Sequence, residues 1–593
     1  MIDSLPTGAE QVRWDLSDLY PDPDALEEDI QTAHQSARTF AEQYHDRVRQ
    51  LNVTEMRTAL EHLEDVHERA GRAATYAYLS WATATDDAAR GALLQHVREA
   101  SAAINQQVLF FELEWRKVPS DRAAMLLART ELDRYRHHLT RERLFEPYSL
   151  SEPEEKILQE TAVTGRNAWK RFFSESVGAI RYDYEDTSVT QQEILAKLYE
   201  SDRSVRRKAA LSFTDGLQAA ARPLTYIFNT LLADKASRDR LRHLPSWIAG
   251  RHLANEITDA MAQALIDAVT SRYDLVARYY RLKRKVLQLE ELHDYDRYAP
   301  VAESATFYSW SDARDLTLSS YQSFHPRMGQ IAERFFAENW IDAAVVEGKQ
   351  AGAFSHGAVP SVHPYVLLNY TGRARDVQTL AHELGHGIHQ YLASEQGLFE
   401  AGTPLTTAET ASVFGEMLVF QQLLSAESGA DGQLALLMGK IDDTMATVFR
   451  QIAMNRFEDA IHTARRNSGE LSMEQFGDLW MATQSEMFQG SVTLGEHYRH
   501  WWSYIPHFLH TPGYVYAYAF GELLVLALHG RYQSAPEDFP HRYLQLLAAG
   551  GSDWPHVLVG SLGADLKSPS FWQQGLTAIE AMIGQAESLY AAA

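Results

Sequence analysis

Apolar residues recur every three or four positions along most of this chain, with charged residues between them. This spacing is typical of amphipathic helices that bury one face. Signals for β-strands are few. The clearest helical stretches are 24–50, 55–80, 86–117, 191–214, 256–290 and 435–465, and the two short strand signals lie at 180–184 and 365–370. We therefore predict a mainly α-helical fold.

The length of the chain predicts more than one lobe. It has 593 residues, whereas one hydrophobic core usually stops growing at ~250–300 residues. No repeat of fixed period is present, so a solenoid is not expected.

Charge and composition exclude several functional classes. The net charge is −24, which makes the chain a poor partner for nucleic acid or an anionic membrane. Cysteine is absent, so disulfides, thiolate zinc sites, iron–sulfur clusters and a cysteine nucleophile are excluded. The first residues lack the apolar segment of a secretory signal. The most apolar run, 514–528, is about 15 residues long and contains Glu522, too short and polar for the ~20 residues that a bilayer requires. We expect a cytoplasmic protein with no nucleic-acid or membrane partner.

Two further segments are unusual in composition. Residues 203–251 hold 10 basic and 3 acidic side chains. They either face an acidic or carboxylate-bearing ligand or form a solvated helix face that pairs with acids elsewhere. Residues 350–363 are rich in Gly, Ser and His, which favours a loop at a functional site.

The most informative motif is H-E-x-x-H at 382–386, within the sequence DVQTLAHELGHGIH. Residues four apart lie on one helix face, so His382 and His386 can offer two imidazoles to one metal ion. Glu383 lies beside them, where a carboxylate can take a proton from an attacking water. Gly385 leaves room for a substrate or a neighbouring backbone.

A metal site of this kind needs a third ligand, and without cysteine it must be His, Asp or Glu. The sequence after His386 does not fit the template H-x-x-G-x-x-H. Downstream, Glu409 and Glu416 lie seven residues apart and share a helix face. The alternative is a capping box formed by Thr406 and Glu409.

These segments resemble a known family. HELGHGIHQ followed by AETASVFGE is similar to the gluzincin zinc metallopeptidases of the oligoendopeptidase F and thimet oligopeptidase group. Their E-x-x-S-x-x-x-E segment is matched by Glu409, Ser412 and Glu416. The resemblance extends over nearly the whole chain, through WDLSDLYPD at 14–22, SLSEPEEKIL at 149–158, HPYVLLNYTG at 363–372 and IPHFLHTPGYVYAYA at 505–519.

The resemblance implies one Zn²⁺ per chain, held by His382, His386 and Glu409, with Glu383 as general base. Glu416 would steady a ligand histidine. It also implies a two-lobed helical architecture with a deep substrate channel and a small β element near the zinc helix. Residues 1–200 would form an N-terminal helical region and 201–593 the catalytic region. The expected activity is endoproteolysis of short peptides.

The segment 507–518 carries candidate oxyanion donors, because peptide hydrolysis builds a negatively charged oxygen that phenol or imidazole groups can stabilise. By the resemblance, His507 and the tyrosines at 514, 516 and 518 are the candidates. We expect Tyr514 and Tyr518, four apart on one face, to act in catalysis. Tyr516 and His510 are expected to contact substrate, with His510 a rival to His507. The alternative for the tyrosines is aromatic packing in a core.

Two other functions stay open. A carboxypeptidase on a similar scaffold would need a cationic clamp for the terminal carboxylate, for which Arg251, Arg373 and Arg375 are candidates. A non-catalytic helical peptide-binding protein would have no use for Glu383. The run HPYVLLNY, just before the zinc helix, either pairs with an extended peptide or forms a core strand. No oligomeric state is predicted.

Overall fold

A computed structural model of the chain describes residues 6–301 and 306–592. It is mainly α-helical with small sheets, as predicted. The helices, in chain order, are α1 (Pro23–Tyr44), α2 (Val53–Ala82), α3 (Ala88–Val108), α4 (Phe110–Arg116), α5 (Ser120–Leu127), α6 (Arg136–Arg143), α7 (Glu152–Thr164), α8 (Arg166–Ala179), α9 (Gln191–Ala196), α10 (Arg203–Ala219), α11 (Ala221–Leu241), α12 (Ala249–Ala254), α13 (Asp259–Thr270), α14 (Tyr273–Val286), α15 (Trp310–Phe324), α16 (Pro326–Ala337), α17 (Ala374–Ala393), α18 (Leu405–Ala408), α19 (Thr410–Ala426), α20 (Ala430–Thr444), α21 (Arg450–Ser468), α22 (Met473–Phe488), α23 (His507–His510), α24 (Tyr516–Ser534), α25 (Phe539–Ala548), α26 (Pro555–Gly560) and α27 (Pro569–Ala592).

The chain forms two compact units. Unit 1 comprises the described residues of Met1–Ser149, Ala305–Ala426 and Arg531–Ala564. Unit 2 comprises those of Leu150–Ser304, Glu427–Gly530 and Asp565–Ala593. Each unit is therefore discontinuous in sequence. The division at residue 200 into an N-terminal and a catalytic region stays a prediction.

Unit 1 begins with the helices α1, α2 and α3, which pack on one another. The starts of α1 and α2 are encoded locally. The Asp22 side chain accepts from the backbone N–H of Ala25, and Asn52 forms a capping box with Glu55. The buried faces of these helices meet in a core that contains Phe40, Phe110, Phe111 and Trp115.

Unit 1 also holds a three-stranded sheet of β3 (Ile341–Asp342), β4 (Phe354–His356) and β5 (Tyr365–Leu367). The strand order is β3–β5–β4, with β5 parallel to β3 and antiparallel to β4. The central strand β5 is fully buried. Of the two interpretations of HPYVLLNY, the core strand is therefore correct, because both edges of β5 are already paired. The edge strand beside it is β4, within the predicted site loop.

Unit 2 has its own aromatic core. It contains a hairpin of β1 (Tyr182–Tyr184) and β2 (Thr187–Val189), which pair antiparallel, at the first predicted strand signal. Phe213 and Phe228 pack edge-on against Trp501 and Trp502, respectively. Some predicted helices are interrupted: the 191–214 stretch forms α9 and α10, with a break before Asp202 caps α10.

Within residues 6–301 and 306–592, no helix is long and apolar enough to cross a membrane. The run 514–528 begins two residues before the largely buried helix α24 and continues into it. The cytoplasmic location and the exclusion of nucleic-acid and membrane partners stay predictions.

Candidate metal centre

Helix α17 carries the H-E-x-x-H motif. Its N-terminus is fixed by Asp376, whose carboxylate accepts from the backbone N–H groups of Thr371 and Arg373 at 2.9 and 3.1 Å. An acidic side chain in the first turn also complements the helix dipole. The apolar residues of the helix, among them Val377, Leu380, Leu384 and Ile388, are buried. This packing leaves His382 and His386 half-buried, with ring centroids 5.0 Å apart.

A second helix pair brings Glu409 to this face. Glu409 lies at the junction between α18 and α19, which begins one residue later. Thr406 lies inside α18, whose N-cap is Pro404, so Glu409 is not the third residue of a capping box. Helices α17 and α19 approach closely because residue 385 is glycine. A Cβ there would lie 2.5 Å from the carbonyl oxygen of Ala411. Of the two expectations for Gly385, the neighbouring backbone is the correct one.

The three donor atoms fit a tetrahedral metal. The Glu409 Oε2 atom lies 3.3 Å from His382 Nε2 and 3.4 Å from His386 Nε2. All three atoms lie within 4.8 Å of one another. Ligand atoms about 2.0–2.1 Å from a tetrahedral zinc ion would lie about 3.3 Å apart. Two imidazoles and one carboxylate are also the donor set of catalytic zinc sites, which keep a fourth position open.

Other side chains fix the orientation of these donors. Glu416 Oε2 lies 3.2 Å from His382 Nδ1, so the Nδ1–H can donate to it and leave Nε2 for a metal. The Ser412 hydroxyl donates to Glu409 Oε2 at 2.8 Å. The buried Tyr321 hydroxyl donates to the carbonyl of Ala381, beside the first histidine.

Electrostatics favour a cation at this point. Burial opposes charge on His382, but hydrogen bonds to Glu409 and Glu416 raise its pKa to about 10. Burial also works against the charge of Glu409, yet its bonds to His382 and His386 hold the pKa of this carboxyl far below its usual range. Two carboxylates that stabilise positive charge at the histidines would stabilise a metal cation in the same way.

Glu383 has the surroundings of a proton acceptor. Its side chain is buried, and burial raises the pKa of its carboxyl group, opposed by the two histidines. The backbone amide of Ser355 in β4 lies near this carboxyl group and lowers its pKa slightly. Ser355 and Tyr321 were not among the sequence-predicted site residues. The composition of 350–363 pointed to the first, whereas no sequence signal marks Tyr321, which is distant along the chain.

A second grouping, His45, Asp46 and Glu114, is largely exposed. Its Glu114 carboxylate already accepts from the backbone N–H groups of Asp46 and Val48 at 2.7 and 3.1 Å. It is better explained as a capped turn than as a metal site.

In unit 2, the structure brings three of the predicted donors together. The Tyr518 hydroxyl lies 3.3 Å from His507 Nε2. The Tyr514 ring stacks on His507, with centroids 6.0 Å apart, and meets Tyr518 edge-on at 4.7 Å. Burial lowers the pKa of His507, so its imidazole is neutral at pH 7. This arrangement can present phenol and imidazole groups to a polar ligand.

The other two predicted residues of this segment have different surroundings. Tyr516 is fully buried, and its hydroxyl accepts from Asn255 at 2.7 Å, which favours packing. His510 is exposed, and its Nε2 lies 3.2 Å from the Ser174 hydroxyl. The roles assigned to all these residues from the sequence stay predictions.

A helix-borne histidine pair, a carboxylate from a following helix junction and a buried glutamate define the site of a helical metallopeptidase. Sequence comparison agrees. The profile described as "Peptidase family M3" matches residues 196–578, and the profile described as "Oligopeptidase F" matches residues 114–182. The chain belongs to peptidase family M3.

Individual relatives cover most of its length. The chain is 26% identical to oligopeptidase PepF of Bacillus subtilis over 97% of its own length and 87% of the relative. A crystal structure from Chlamydophila abortus superposes with a TM-score of 0.87 at 24% identity, covering 99% of both chains. Oligoendopeptidase-F from Enterococcus faecium gives 0.71 at 20% identity, covering 96% of this chain and 98% of that one. The chain is thus a metallo-oligopeptidase, which confirms the predicted family, fold and enzyme class.

Proposed function

We propose that this chain is a zinc-dependent endopeptidase that cleaves internal bonds of short peptides. One zinc ion per chain would be held by His382, His386 and Glu409. The observation that carries this proposal is the convergence of three donor atoms at tetrahedral spacing beside the buried carboxyl group of Glu383. The preference for short peptides comes from the relatives, which are named oligopeptidase and oligoendopeptidase.

The residues divide the chemistry between them. When bound, zinc polarises the scissile carbonyl and makes an attacking water more acidic. Glu383 would accept the water proton at a carboxylate oxygen and pass it to the leaving nitrogen. Its raised pKa suits both steps, because a group with a pKa closer to neutral both accepts and releases a proton. Glu416 would hold the Nδ1 proton of His382 and so fix the tautomer that coordinates metal.

The edge strand β4 supports main-chain recognition of a peptide. Among the described residues, β4 pairs with no strand other than β5. The Ser355 carbonyl accepts a long hydrogen bond of 3.5 Å from Gln390, which the backbone of an extended chain would replace. The Ser355 amide lies near Glu383. A peptide added to this edge would lie beside Glu383, the proposed proton acceptor. Binding through the peptide backbone would select only weakly among peptide sequences.

We also propose that His507, Tyr514 and Tyr518 stabilise the oxyanion. Their mutual contacts and their partial exposure support a shared polar role. The assignment to the oxyanion rests on the resemblance stated above. His510 and Tyr516 would contribute to substrate binding.

The test uses an internally quenched peptide blocked at both ends, which only an endopeptidase can cleave. Glu383→Gln should retain zinc, but its turnover rate should fall about 10²–10⁴-fold. The amide has the same shape as the carboxylate but cannot accept a proton. Glu395→Gln is the matched control, since that exposed side chain lies just beyond α17. Metal content is measured on each variant.

Wild-type turnover by Glu383→Gln would show that this residue is not the base. Cleavage of only those peptides that have a free C-terminus would instead identify a carboxypeptidase. Zinc without any hydrolysis would favour a peptide-binding protein.

A further inference from the structure

Unit 2 contains a cavity of about 240 Å³, none of whose lining residues belongs to the metal centre. Its wall is formed by α8, α11, α12, α21, α23 and the segment that follows α23. Cationic side chains dominate the lining: Arg166, Lys170, Lys235, Arg238 and Arg251. In a chain of net charge −24, such a local excess of positive charge requires an explanation.

The cationic residues that each helix contributes lie on a single face of that helix, the face that lines the cavity. Arg166 and Lys170 lie four apart on α8, and Lys235 and Arg238 lie three apart on α11, so each pair shares a face. Arg251 follows on α12. Three of the five belong to the basic stretch 203–251. Of these three, Lys235 and Arg238 pair with acidic side chains, so Arg251 is the one that favours the ligand-facing alternative.

The acidic side chains of the cavity neutralise only part of this charge. Asp239 is shared between Lys235, at 3.0 Å, and Arg466, at 2.5 Å. Asp234 lies 3.8 Å from Arg238. Among the residues that the structure describes, Arg166, Lys170 and Arg251 have no carboxylate within 4.0 Å. Asp234 acts on Arg166 and Lys170 only at longer range. The lining therefore holds five cationic and two acidic side chains, an excess of three positive charges.

A buried histidine provides a second, independent indication. His462 lines the cavity and is 1% exposed, yet neither ring nitrogen has a hydrogen-bond partner. Its ring stacks on Trp247, with centroids 4.3 Å apart, which fixes its plane. A buried polar group normally has a partner, and leaving one unsatisfied costs about 1–3 kcal/mol. A ligand with acceptor oxygens would satisfy its N–H.

We propose that this cavity binds a small oxyanion of the phosphate type. Guanidinium groups match phosphate oxygens through paired N–H donors, and a lysine adds a point charge. A dianion balances two of the three excess positive charges of the lining, whereas a monocarboxylate balances only one. The lining also includes the apolar side chains of Leu231, Leu232, Phe508 and Leu509, so an organic phosphate has a surface for its carbon atoms.

The pKa values of the lysines agree with this assignment. Burial lowers the pKa of Lys170, and neighbouring Arg166 lowers it further. Burial also lowers the pKa of Lys235, although Asp239 opposes the shift. A bound anion would relieve both effects.

The experiment is calorimetric titration of the zinc-loaded full chain at constant ionic strength. Inorganic phosphate should bind saturably, and acetate at least tenfold more weakly. Arg166→Gln and Lys170→Gln should each weaken phosphate binding about tenfold, the effect of one charge-assisted hydrogen bond. Arg171→Gln is the matched control, because Arg171 lies on the same helix but points to solvent, with 81% of its side chain exposed.

Phenyl phosphate distinguishes the sources of the oxyanion. Tighter binding than inorganic phosphate would assign the cavity to organic phosphates, and equal binding to the free anion; both support the site. The proposal is overturned if no saturable phosphate binding occurs, or if Arg166→Gln and Lys170→Gln bind phosphate as Arg171→Gln does. That second result would also be expected for phosphate bound at the metal centre. Thermal melting of each variant verifies that it is folded.

Discussion

At the scale of single residues, surroundings separate groups of the same type. Glu383 and Glu458 are buried and Glu409 is half-buried, yet their pKa values are shifted differently. The carboxyl of Glu409 is held ionised by two histidines, whereas burial alone dominates for the other two. The tyrosines of one segment also differ in their surroundings. Tyr516 is buried, whereas Tyr514 and Tyr518 are half-buried.

The tyrosine hydroxyls can be tested one at a time. Tyr518→Phe or Tyr514→Phe should lower kcat by about 10²–10³ with little change in KM, because an oxyanion donor acts mainly in the transition state. Tyr516→Phe should instead lower stability by about 1 kcal/mol through loss of the Asn255 hydrogen bond. If all three variants keep the wild-type kcat, the tyrosines are not donors and His507 or His510 takes that role.

Glu458 predicts a pH dependence of stability. Burial raises its pKa from 4.5 to about 8, although the Gly513 N–H, which donates to it at 2.9 Å, opposes the shift. Between these values the folded chain holds a proton that the unfolded chain has released. The free energy of unfolding therefore falls as pH rises from about 4.5 to about 8, by up to about 1.4 kcal/mol per pH unit.

Urea unfolding at pH 5, 6.5 and 8 measures this effect against Glu458→Gln. The amide keeps an acceptor for Gly513 but does not titrate. The difference in unfolding free energy between variant and wild type should grow in favour of the variant with pH. A constant difference would mean that the carboxyl titrates at its ordinary value.

At the scale of elements, the distance between α17 and α19 determines whether the donors meet. A glycine on α17 allows this approach, since a side chain there would contact the backbone at Ala411 and Ser412. Glu409 at the start of α19 can then reach both histidines. The helix contact and the metal site therefore depend on the same small residue.

Gly385→Ala should destabilise the chain by about 1–3 kcal/mol and weaken zinc binding, because the added methyl group forces the two helices apart. Gly439→Ala is the control: Gly439 lies at an exposed position of α20, with open space around its Cβ position. That change should stabilise by about 0.5–1 kcal/mol through helix propensity. Thermal melting and zinc titration compare the two. Unchanged zinc affinity in Gly385→Ala would show that the helices can shift without disturbing the donors.

At the scale of the whole molecule, the core and the metal centre use different residues. The apolar faces of α17 and α19, including Leu384 and Phe414, are buried independently of the donors. The Glu409 carboxylate lies 3.3 and 3.4 Å from the two histidines, within ion-pair distance. The ligand cluster is therefore held together by packing as well as by any bound ion.

Removal of metal by a chelator should abolish turnover while the far-UV helical signal remains. The metal-free chain should melt at a lower temperature, because a ligand at 100 times its Kd stabilises by about 2.7 kcal/mol. Added zinc should restore both activity and melting temperature. Loss of the helical signal on chelation would mean that the metal is required for folding.

The sequence by itself determined the helical class, the family and the candidate metal ligands. Helix spacing and the H-E-x-x-H motif are local patterns, and local patterns are readable because neighbours in sequence are neighbours on a helix face. The sequence did not predict which segments distant along the chain come into contact. Only the tertiary structure showed that β5 is central and β4 is the edge strand, and that Ser355 lies near Glu383. Likewise, Lys170, Arg238 and Arg251 converge with His462 through the packing of four helices, and no pattern within any one helix encodes that contact.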